Sequence, residues 1–243
     1  DAEGSLWIGT AGGGLARLKD VPFVSYTVHE GLPDESANAV LATRDGSVWV
    51  GTDAGLARLA RGTVSVLTRA HGLPDSRVIG LAEDHEGTLW VGTEGGLAHW
   101  DGTQFSPHPV LRALRDTVRE RLWVRSILPD HDAVWVAGAR VLRVRRDGTT
   151  VTAVRRERPQ TFMPTLLFRA GDERPWVGSW DGLVALGDDG ETTTRTLYLT
   201  RDRRSRGVVY GAQADDDGTI WVATRDAGLA RYRQGRVRLY GTA

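Results

Sequence analysis

The chain contains no cysteine, which excludes disulfide bonds, thiol catalysis and cysteine-ligated metals together. No stretch approaches 18 consecutive apolar residues, so the sequence predicts no membrane-spanning helix and no membrane contact by this chain itself. Lys+Arg and Asp+Glu both total 31, and the resulting net charge of zero argues against a general nucleic-acid-binding protein, which normally carries a basic excess.

The charges that are present are unevenly distributed. Residues 1–110 carry 14 acids and 7 bases, a net charge of −7, whereas residues 111–243 carry 17 acids and 24 bases, a net charge of +7. All bases except Lys19 are arginine. If the chain closes into a ring, we expect one acidic and one basic side.

A tryptophan recurs within nearly the same short sequence motif, as in GSVWVGT, GTLWVGT and GTIWVAT. The steps between successive copies are 42, 41, 45, 41 and 45 residues. A period of 40 to 45 residues with an aromatic strand in each unit is typical of repeat architectures. The six copies are Trp7, Trp49, Trp90, Trp135, Trp176 and Trp221.

The unit at 76–109 shows the pattern most clearly. Short apolar runs at Val78–Glu83, Thr88–Gly92, Leu97–Trp100 and Gln104–Pro107 are separated by turns rich in Asp and Gly. Such runs are typical of antiparallel hairpins, and four strands per unit form one propeller blade. The sequence therefore predicts an all-β protein, a β-propeller occupying residues 1–243 as a single domain or as a propeller fragment.

The alignment of the repeats predicts that the first blade lacks its innermost strand. Two interpretations follow: the chain is a fragment of a longer blade array, or a six-bladed ring closes with one three-stranded blade. An incomplete first blade leaves a sheet edge, and exposed edges recruit partners, so self-association through this blade is a further expectation. Apolar residues at helical spacing across Leu111–Leu122 predict a short helix near 111–121.

The repeats resemble those of the two-component regulator propeller family. The resemblance lies in the segments 34–59 and 75–93, and in the loops HisGluGlyLeuProAsp (29–34) and HisGlyLeuProAsp (71–75). It weakens over 106–206. In that family such propellers are extracytoplasmic sensor domains that precede a membrane helix and a histidine kinase or diguanylate cyclase. The resemblance implies a periplasmic or otherwise extracytoplasmic sensing module in a bacterial signalling receptor.

Little in the sequence indicates catalysis or a metal site. The six histidines show no metal-ligand spacing such as HxxxH, and no GxSxG nucleophile elbow or phosphate-binding GxGxxG is present. The segments Asp84–Trp90 and Asp215–Trp221 resemble calcium loops and the Asp-box of sialidases, but Asp and Gly are also the residues that hairpin turns favour. We therefore predict no catalytic residue, no metal ligand and no cofactor.

The loops between blades offer a candidate ligand site, because arginine forks suit carboxylate, sulfate and phosphate groups and aromatic rings can stack on a sugar. Three successive loops are rich in arginine, and Trp123, Trp180 and Tyr210 lie near them in the repeat pattern. We predict that an anionic saccharide or other small polyanion binds there. The predicted ligand-binding residues are Arg115, Arg119, Arg121, Trp123, Arg156, Arg158, Trp180, Arg203, Arg204, Arg206 and Tyr210.

The sequence thus favours a non-enzymatic, ligand-sensing propeller and leaves two alternatives. The first is an enzyme, since the repeat loosely resembles the antibiotic-inactivating virginiamycin lyase propellers, which use a metal and a histidine base; no clear histidine–acid pair supports it. The second is a scaffold or engineered propeller fragment without a ligand.

Overall fold

The fold was analysed in a computed structural model, which describes residues 6–10, 14–19, 21–109, 123–147, 151–153, 163–170, 174–180, 182–187, 193–197, 207–225 and 227–240. The chain divides into two compact units, Asp1–His131 and Asp132–Ala243. The helix predicted near 111–121 lies outside the described residues. No helix in the described part of the chain is long and apolar enough to cross a membrane.

The first unit holds three antiparallel sheets, in which strand order follows chain order, and the first strand of the fourth repeat. Two short 3-10 turns, Val28–Glu30 and Arg69–His71, precede the second and third sheets. The strands are β1 (Leu6–Thr10), β2 (Gly14–Lys19) and β3 (Val21–Tyr26) in the first sheet, β4 (Ala37–Ala42), β5 (Val48–Thr52), β6 (Leu56–Ala60) and β7 (Thr63–Leu67) in the second, β8 (Val78–Glu83), β9 (Leu89–Thr93), β10 (Gly96–Trp100) and β11 (Phe105–Pro107) in the third, and β12 (Val124–Pro129).

The second unit holds the remaining strands of the fourth repeat and two complete four-stranded antiparallel sheets. Its strands are β13 (Ala133–Gly138), β14 (Val141–Arg145) and β15 (Val151–Ala153) of the fourth repeat, β16 (Pro164–Arg169), β17 (Pro175–Ser179), β18 (Gly182–Leu186) and β19 (Thr193–Leu197) in the fifth sheet, and β20 (Val209–Ala214), β21 (Ile220–Thr224), β22 (Gly228–Arg233) and β23 (Arg236–Tyr240) in the sixth.

The predicted all-β blade pattern is confirmed. The recurrent tryptophan lies in the second strand of each four-stranded sheet, as Trp49 does in β5, but in the first strand, β1, of the first sheet. Among the described residues, the first sheet therefore has three strands and no counterpart of the innermost strand, as the repeat alignment predicts.

The core lies between successive sheets and is organised around the tryptophans. Trp49 packs with Leu89 and Phe105 of the following sheet, and Trp176 meets the ring of Tyr232 at 5.8 Å between centroids. Burying one tryptophan side chain removes roughly 150–250 Å² from water, which contributes on the order of 4–6 kcal/mol as an upper bound. The repeated tryptophan is thus explained by packing.

Close approach between sheets explains the glycine that follows the tryptophan by two residues. A Cβ added at Gly92 would lie 2.3 Å from the carbonyl oxygen of Val124 in β12, and one added at Gly51 would lie 2.6 Å from Val78 Cγ1 in β8. Contacts this short are not seen for real Cβ atoms, so these positions keep neighbouring sheets close together.

Candidate functional site

Of the residues predicted to bind a ligand, only the three aromatic ones lie in the described part of the chain. Trp123 is half-buried and lies under the Arg125 guanidinium, 4.9 Å from the ring centroid. Trp180, which follows β17, is 38% exposed, and Tyr210 in β20 is 65% exposed. Within the described residues of the second unit, no ring contact joins Trp180 to Tyr210. The predicted arginines, from Arg115 to Arg206, lie outside the described residues, so the arginine site remains a prediction.

In the first unit, one end of the second and third sheets carries a network of charged side chains. Arg77 donates from Nε to Asp53 Oδ1 at 2.9 Å and from a terminal nitrogen to Glu94 Oε1 at 2.8 Å. Asn38 donates to the same Asp53 oxygen at 2.7 Å. The two carboxylates raise the pKa of Arg77, with Asp53 the larger influence. Because these side chains are more than a third exposed, such pairs contribute about 0–1 kcal/mol each.

The Gly-Leu-Pro loops at the same end are held by their own side chains. In the first of these loops, Glu30 accepts a hydrogen bond from the Thr27 backbone N–H at 2.7 Å. In the second, the His71 ring nitrogen Nδ1 accepts the equivalent bond from Thr68 at 3.0 Å. Both are capping boxes around a 3-10 turn. His71 therefore has a structural role in shaping its loop.

The turns at the opposite end of the sheets explain the aspartates that precede two of the tryptophans. Asp84, which is buried, accepts the Trp90 indole N–H at 2.8 Å and the backbone N–H groups of Glu86 and Thr88 at 2.9 Å each. In the sixth sheet, Asp215 accepts the Trp221 indole N–H at 2.9 Å. The aspartate six residues before the tryptophan thus both closes the turn and satisfies the indole, which favours the hairpin-turn interpretation of these segments.

The second sheet departs from this arrangement. Its strands pair Ala42 with Val48, the same register that pairs Glu83 with Leu89 in the third sheet, so Thr43 occupies the place of Asp84. The Thr43 hydroxyl donates to Asp45 Oδ1 at 2.6 Å. Among the residues that the structure describes, none accepts a hydrogen bond from the Trp49 indole N–H.

A cavity of about 380 Å³ lies at this position, between the second and third sheets. Its volume falls within the range of about 300–1,000 Å³ that is usual for small-molecule sites. The indole rings of Trp49 and Trp100 line it, with centroids 6.3 Å apart and ring planes inclined at 61°. The remaining lining residues are Thr43, Arg44, Asp45, Arg58, Glu83, Gly87 and Leu89.

The charges around this cavity, which we call the Trp49 cavity, are balanced in pairs. Arg58 lies 5.2 Å from the Trp49 ring centroid and donates to Asp45 Oδ2 at 2.8 Å. The Arg44 guanidinium Nε lies 3.6 Å from Glu83 Oε2. Hydrogen bonds from Thr43 and then Ser47, together with the Arg58 charge, lower the Asp45 pKa to about 2. The cavity therefore combines aromatic surface, hydrogen-bonding groups of both kinds and no net charge.

The Trp49 cavity was not among the sequence-predicted sites. The signal that indicates it is present in the sequence: the residue six positions before the tryptophan is Asp at 84 and 215 but Thr at 43. Sequence alone does not show that threonine in place of aspartate leaves a cavity, because the second and third sheets enclose that cavity together.

Comparison with known proteins agrees with the blade architecture. Residues 31–54 and 72–95 match the sequence pattern described as two component regulator propeller. The chain carries two-component regulator propeller repeats. Both matches begin within a Gly-Leu-Pro loop and end just after the tryptophan strand, so they cover the second and third repeats. Among curated protein sequences, none matches the chain significantly.

Several solved structures share the fold. Virginiamycin B lyase from Staphylococcus aureus superposes with a TM-score of 0.80 at 16% identity, over 100% of this chain and 82% of the lyase. The extracellular domain of the putative hybrid two component system BT4673 from B. thetaiotaomicron gives a TM-score of 0.67 at 18% identity, over 96% of this chain and 37% of that domain. At these identities the likeness establishes the β-propeller fold alone.

Proposed function

We propose that this chain is a non-enzymatic, ligand-sensing propeller module of a bacterial signalling receptor, and that it acts outside the cytoplasm. The observation that carries the proposal is the pair of consecutive two-component regulator propeller repeats at 31–54 and 72–95. The similar fold of an extracellular domain from a two-component system supports the same placement. The lyase likeness supplies no active site, since it rests on fold alone at 16% identity.

The arginine-rich loops remain the proposed site for an anionic saccharide or small polyanion. The exposure of Trp180 and Tyr210 supports this proposal, because both rings are accessible for stacking. Binding should weaken with added salt as the screening length shortens. Calorimetry with a sulfated or uronic-acid oligosaccharide at low salt tests it, comparing the wild-type chain with the triple variant Arg121→Ala, Arg156→Ala and Arg204→Ala.

The structure also identifies a suitable control for that experiment. Arg17 and Arg58 are poor choices, because their guanidinium groups lie over the rings of Trp7 and Trp49. Arg69 and Arg236 are exposed, so Arg69→Ala with Arg236→Ala removes surface charge only. Equal loss of binding in both variants, or no heat of binding in the wild-type chain, would contradict the arginine site.

A second ligand position is favoured by a separate observation, the Trp49 indole N–H beside the Trp49 cavity. The balanced charges of the Trp49 cavity favour a neutral polar ligand. Such a ligand would accept a hydrogen bond from the Trp49 indole N–H through an oxygen and place a flat apolar face on Trp100, as an uncharged saccharide can. Trp100 is only half-buried and packs on Phe105 at 4.7 Å between centroids, which fixes the ring in place.

Tryptophan fluorescence during titration with neutral oligosaccharides tests this position. Thr43→Asp should place a carboxylate beside the indole, as Asp84 does beside Trp90, and abolish the response. Thr43→Ser keeps a hydroxyl at the same position and should retain it. A response of equal size in all three proteins would show that the ligand binds elsewhere.

A further inference from the structure

The contact between the fifth and sixth sheets, both in the second unit, is the structural counterpart of the Trp49 cavity. Two polar positions at that cavity are set by the tryptophan: one lies six residues before it, and the other lies opposite it in the third strand. In the fifth sheet both positions are alanine, since Ala170 lies six residues before Trp176 and Ala185 pairs with Trp176. The residues at the same two positions of the second sheet are Thr43 and Arg58.

The sixth sheet brings a third alanine to this contact. Ala214 is the last residue of β20 and pairs with Ile220. The same register pairs Glu83, which lines the Trp49 cavity, with Leu89 in the third sheet. The hydroxyl, guanidinium and carboxylate groups that border the Trp49 cavity are therefore each replaced by a methyl group here. Each replacement also shortens the side chain beside the tryptophan.

Two further aromatic rings flank Trp176. Phe168 pairs with Trp176 across the strands, with ring centroids 6.5 Å apart and ring planes inclined at 24°. Tyr232 of the sixth sheet lies 5.8 Å from Trp176, with ring planes inclined at 53°. The side chains that pack on this core cluster while remaining partly exposed include Phe168, Ala170, Ala214 and Tyr232. The indole is thus bordered by apolar side chains whose outer ends reach solvent.

One hydrogen-bond donor among these apolar side chains is unsatisfied. Trp176 is 5% exposed, and among the residues that the structure describes none accepts a hydrogen bond from its indole N–H. In the third and sixth sheets, the equivalent N–H groups are accepted by Asp84 and Asp215. A buried donor without an acceptor destabilises the fold, so a molecule that brings an oxygen to the Trp176 indole would relieve this cost.

We propose that this contact, which we call the Trp176 site, binds a small neutral molecule with an apolar body and one carbonyl or ether oxygen. The oxygen accepts the indole N–H, and the apolar body packs on the alanine methyl groups and the flanking rings. A saccharide or an ion fits poorly, because its polar groups would lose water without gaining partners. The proposal rests on neither the Trp49 cavity nor the arginine loops. The Trp176 site is defined by Phe168, Ala170, Trp176, Ala185, Ala214 and Tyr232.

Titration with cyclohexanone, followed in nitrogen-15 spectra of the indole N–H groups, tests the proposal. The Trp176 signal is identified by its loss in Trp176→Phe. A hydrogen bond to the ketone oxygen should move the Trp176 indole proton signal downfield in a saturable way, while the Trp90 signal stays in place. Methylenecyclohexane has the same shape without the oxygen, so it should bind about 3- to 10-fold more weakly and cause no downfield shift.

Three variants sharpen this test. Ala170→Asp should abolish the ketone response, because the introduced carboxylate accepts the indole N–H. Thr43→Asp, the same kind of change at the equivalent position of the second sheet, should leave the response intact. Ala214→Leu, at a partly exposed position, should weaken binding without supplying an acceptor, which keeps the test decisive if Ala170→Asp does not fold. The proposal is overturned if cyclohexanone causes no saturable shift at Trp176, if the two probes bind equally, or if the shift persists in Ala170→Asp.

Discussion

The second and third sheets are built from nearly the same sequence, yet the indole N–H groups of their tryptophans have different surroundings. In the third sheet the Trp90 indole N–H is satisfied by a buried aspartate, Asp84, at 2.8 Å. In the second sheet Thr43 stands at the equivalent position, bonds to Asp45 instead, and leaves the Trp49 cavity beside the ring. In these two sheets, one side chain in the turn therefore decides whether the indole N–H is satisfied by a buried carboxylate or lies beside a cavity.

The largest effect should come from removing the tryptophan of the closed sheet. Trp90→Ala should lower the free energy of unfolding by about 3–5 kcal/mol, because it leaves a cavity in a well-packed core. His85→Ala, in the exposed turn beside it, should change the free energy by no more than about 0.5 kcal/mol. Urea titration of both variants measures the difference, and similar losses would mean that the packing role assigned to the tryptophans is wrong.

The second-largest loss of stability should come from removing the buried aspartate, Asp84. Asp84→Ala should cost about 2–3 kcal/mol, because the Trp90 indole and two backbone N–H groups lose their buried acceptor. Thr43→Ala in the second sheet should cost about 1 kcal/mol or less, since it removes hydrogen bonds at a partly exposed turn. Chemical denaturation gives both values, and an equal cost at the two positions would remove the distinction between the sheets.

In the fifth sheet, the carboxylate acceptor for the tryptophan indole can be added instead of removed. Among the residues that the structure describes, none accepts a hydrogen bond from the buried Trp176 indole N–H, and Ala170 lies six residues before Trp176, in the register of Asp84. Ala170→Asp should supply the missing acceptor and raise the free energy of unfolding by about 1 kcal/mol. Thermal unfolding checks this expectation. Ala170→Asn, which offers a weaker acceptor, should gain less, and a loss of stability with Asp would show that the turn cannot adopt the Asp84 arrangement.

The turn of the second sheet should also make a smaller, pH-dependent contribution to the free energy of unfolding. The pKa of Asp45 is lowered to about 2, chiefly by the Thr43 hydroxyl. A carboxyl group with a lowered pKa stabilises the fold above its unfolded pKa of about 4, and this contribution disappears as the pH falls towards 2. Since the side chain is 52% exposed, we expect less than about 1 kcal/mol.

Asp45→Asn should therefore reduce stability at pH 6 and make little difference at pH 2. Urea titrations at the two pH values measure this change. A variant that loses the same amount at both pH values would indicate that the carboxylate charge contributes nothing.

Much of this architecture follows from sequence, because the features that determine it are local and repeated. The tryptophan period, the Asp-Gly and Gly-Gly turns and the alternating strands predict the blade pattern, and Val78–Glu83 has the bounds observed for β8. The three-stranded first sheet follows from aligning Trp7 with the other copies. These inferences need no knowledge of how one sheet packs on the next.

The candidate site was not predicted, because it depends on two sheets at once. Thr43 lies in the turn after β4, Trp49 in β5 and Trp100 in β10. Only the packing of the third sheet against the second brings them around one cavity. Composition pointed instead to the arginine loops, which remain to be tested.

The central claim is that Asp84 satisfies the Trp90 indole N–H, whereas Thr43 leaves the Trp49 indole N–H beside a cavity. It is tested most directly by hydrogen exchange of these indole N–H groups. Nitrogen-15 spectra of uniformly labelled protein resolve these signals. The account predicts slow exchange for Trp90, much faster exchange for Trp49, and slow exchange for Trp49 once Thr43→Asp is introduced. Equal protection of Trp49 and Trp90 in the wild-type chain would contradict it.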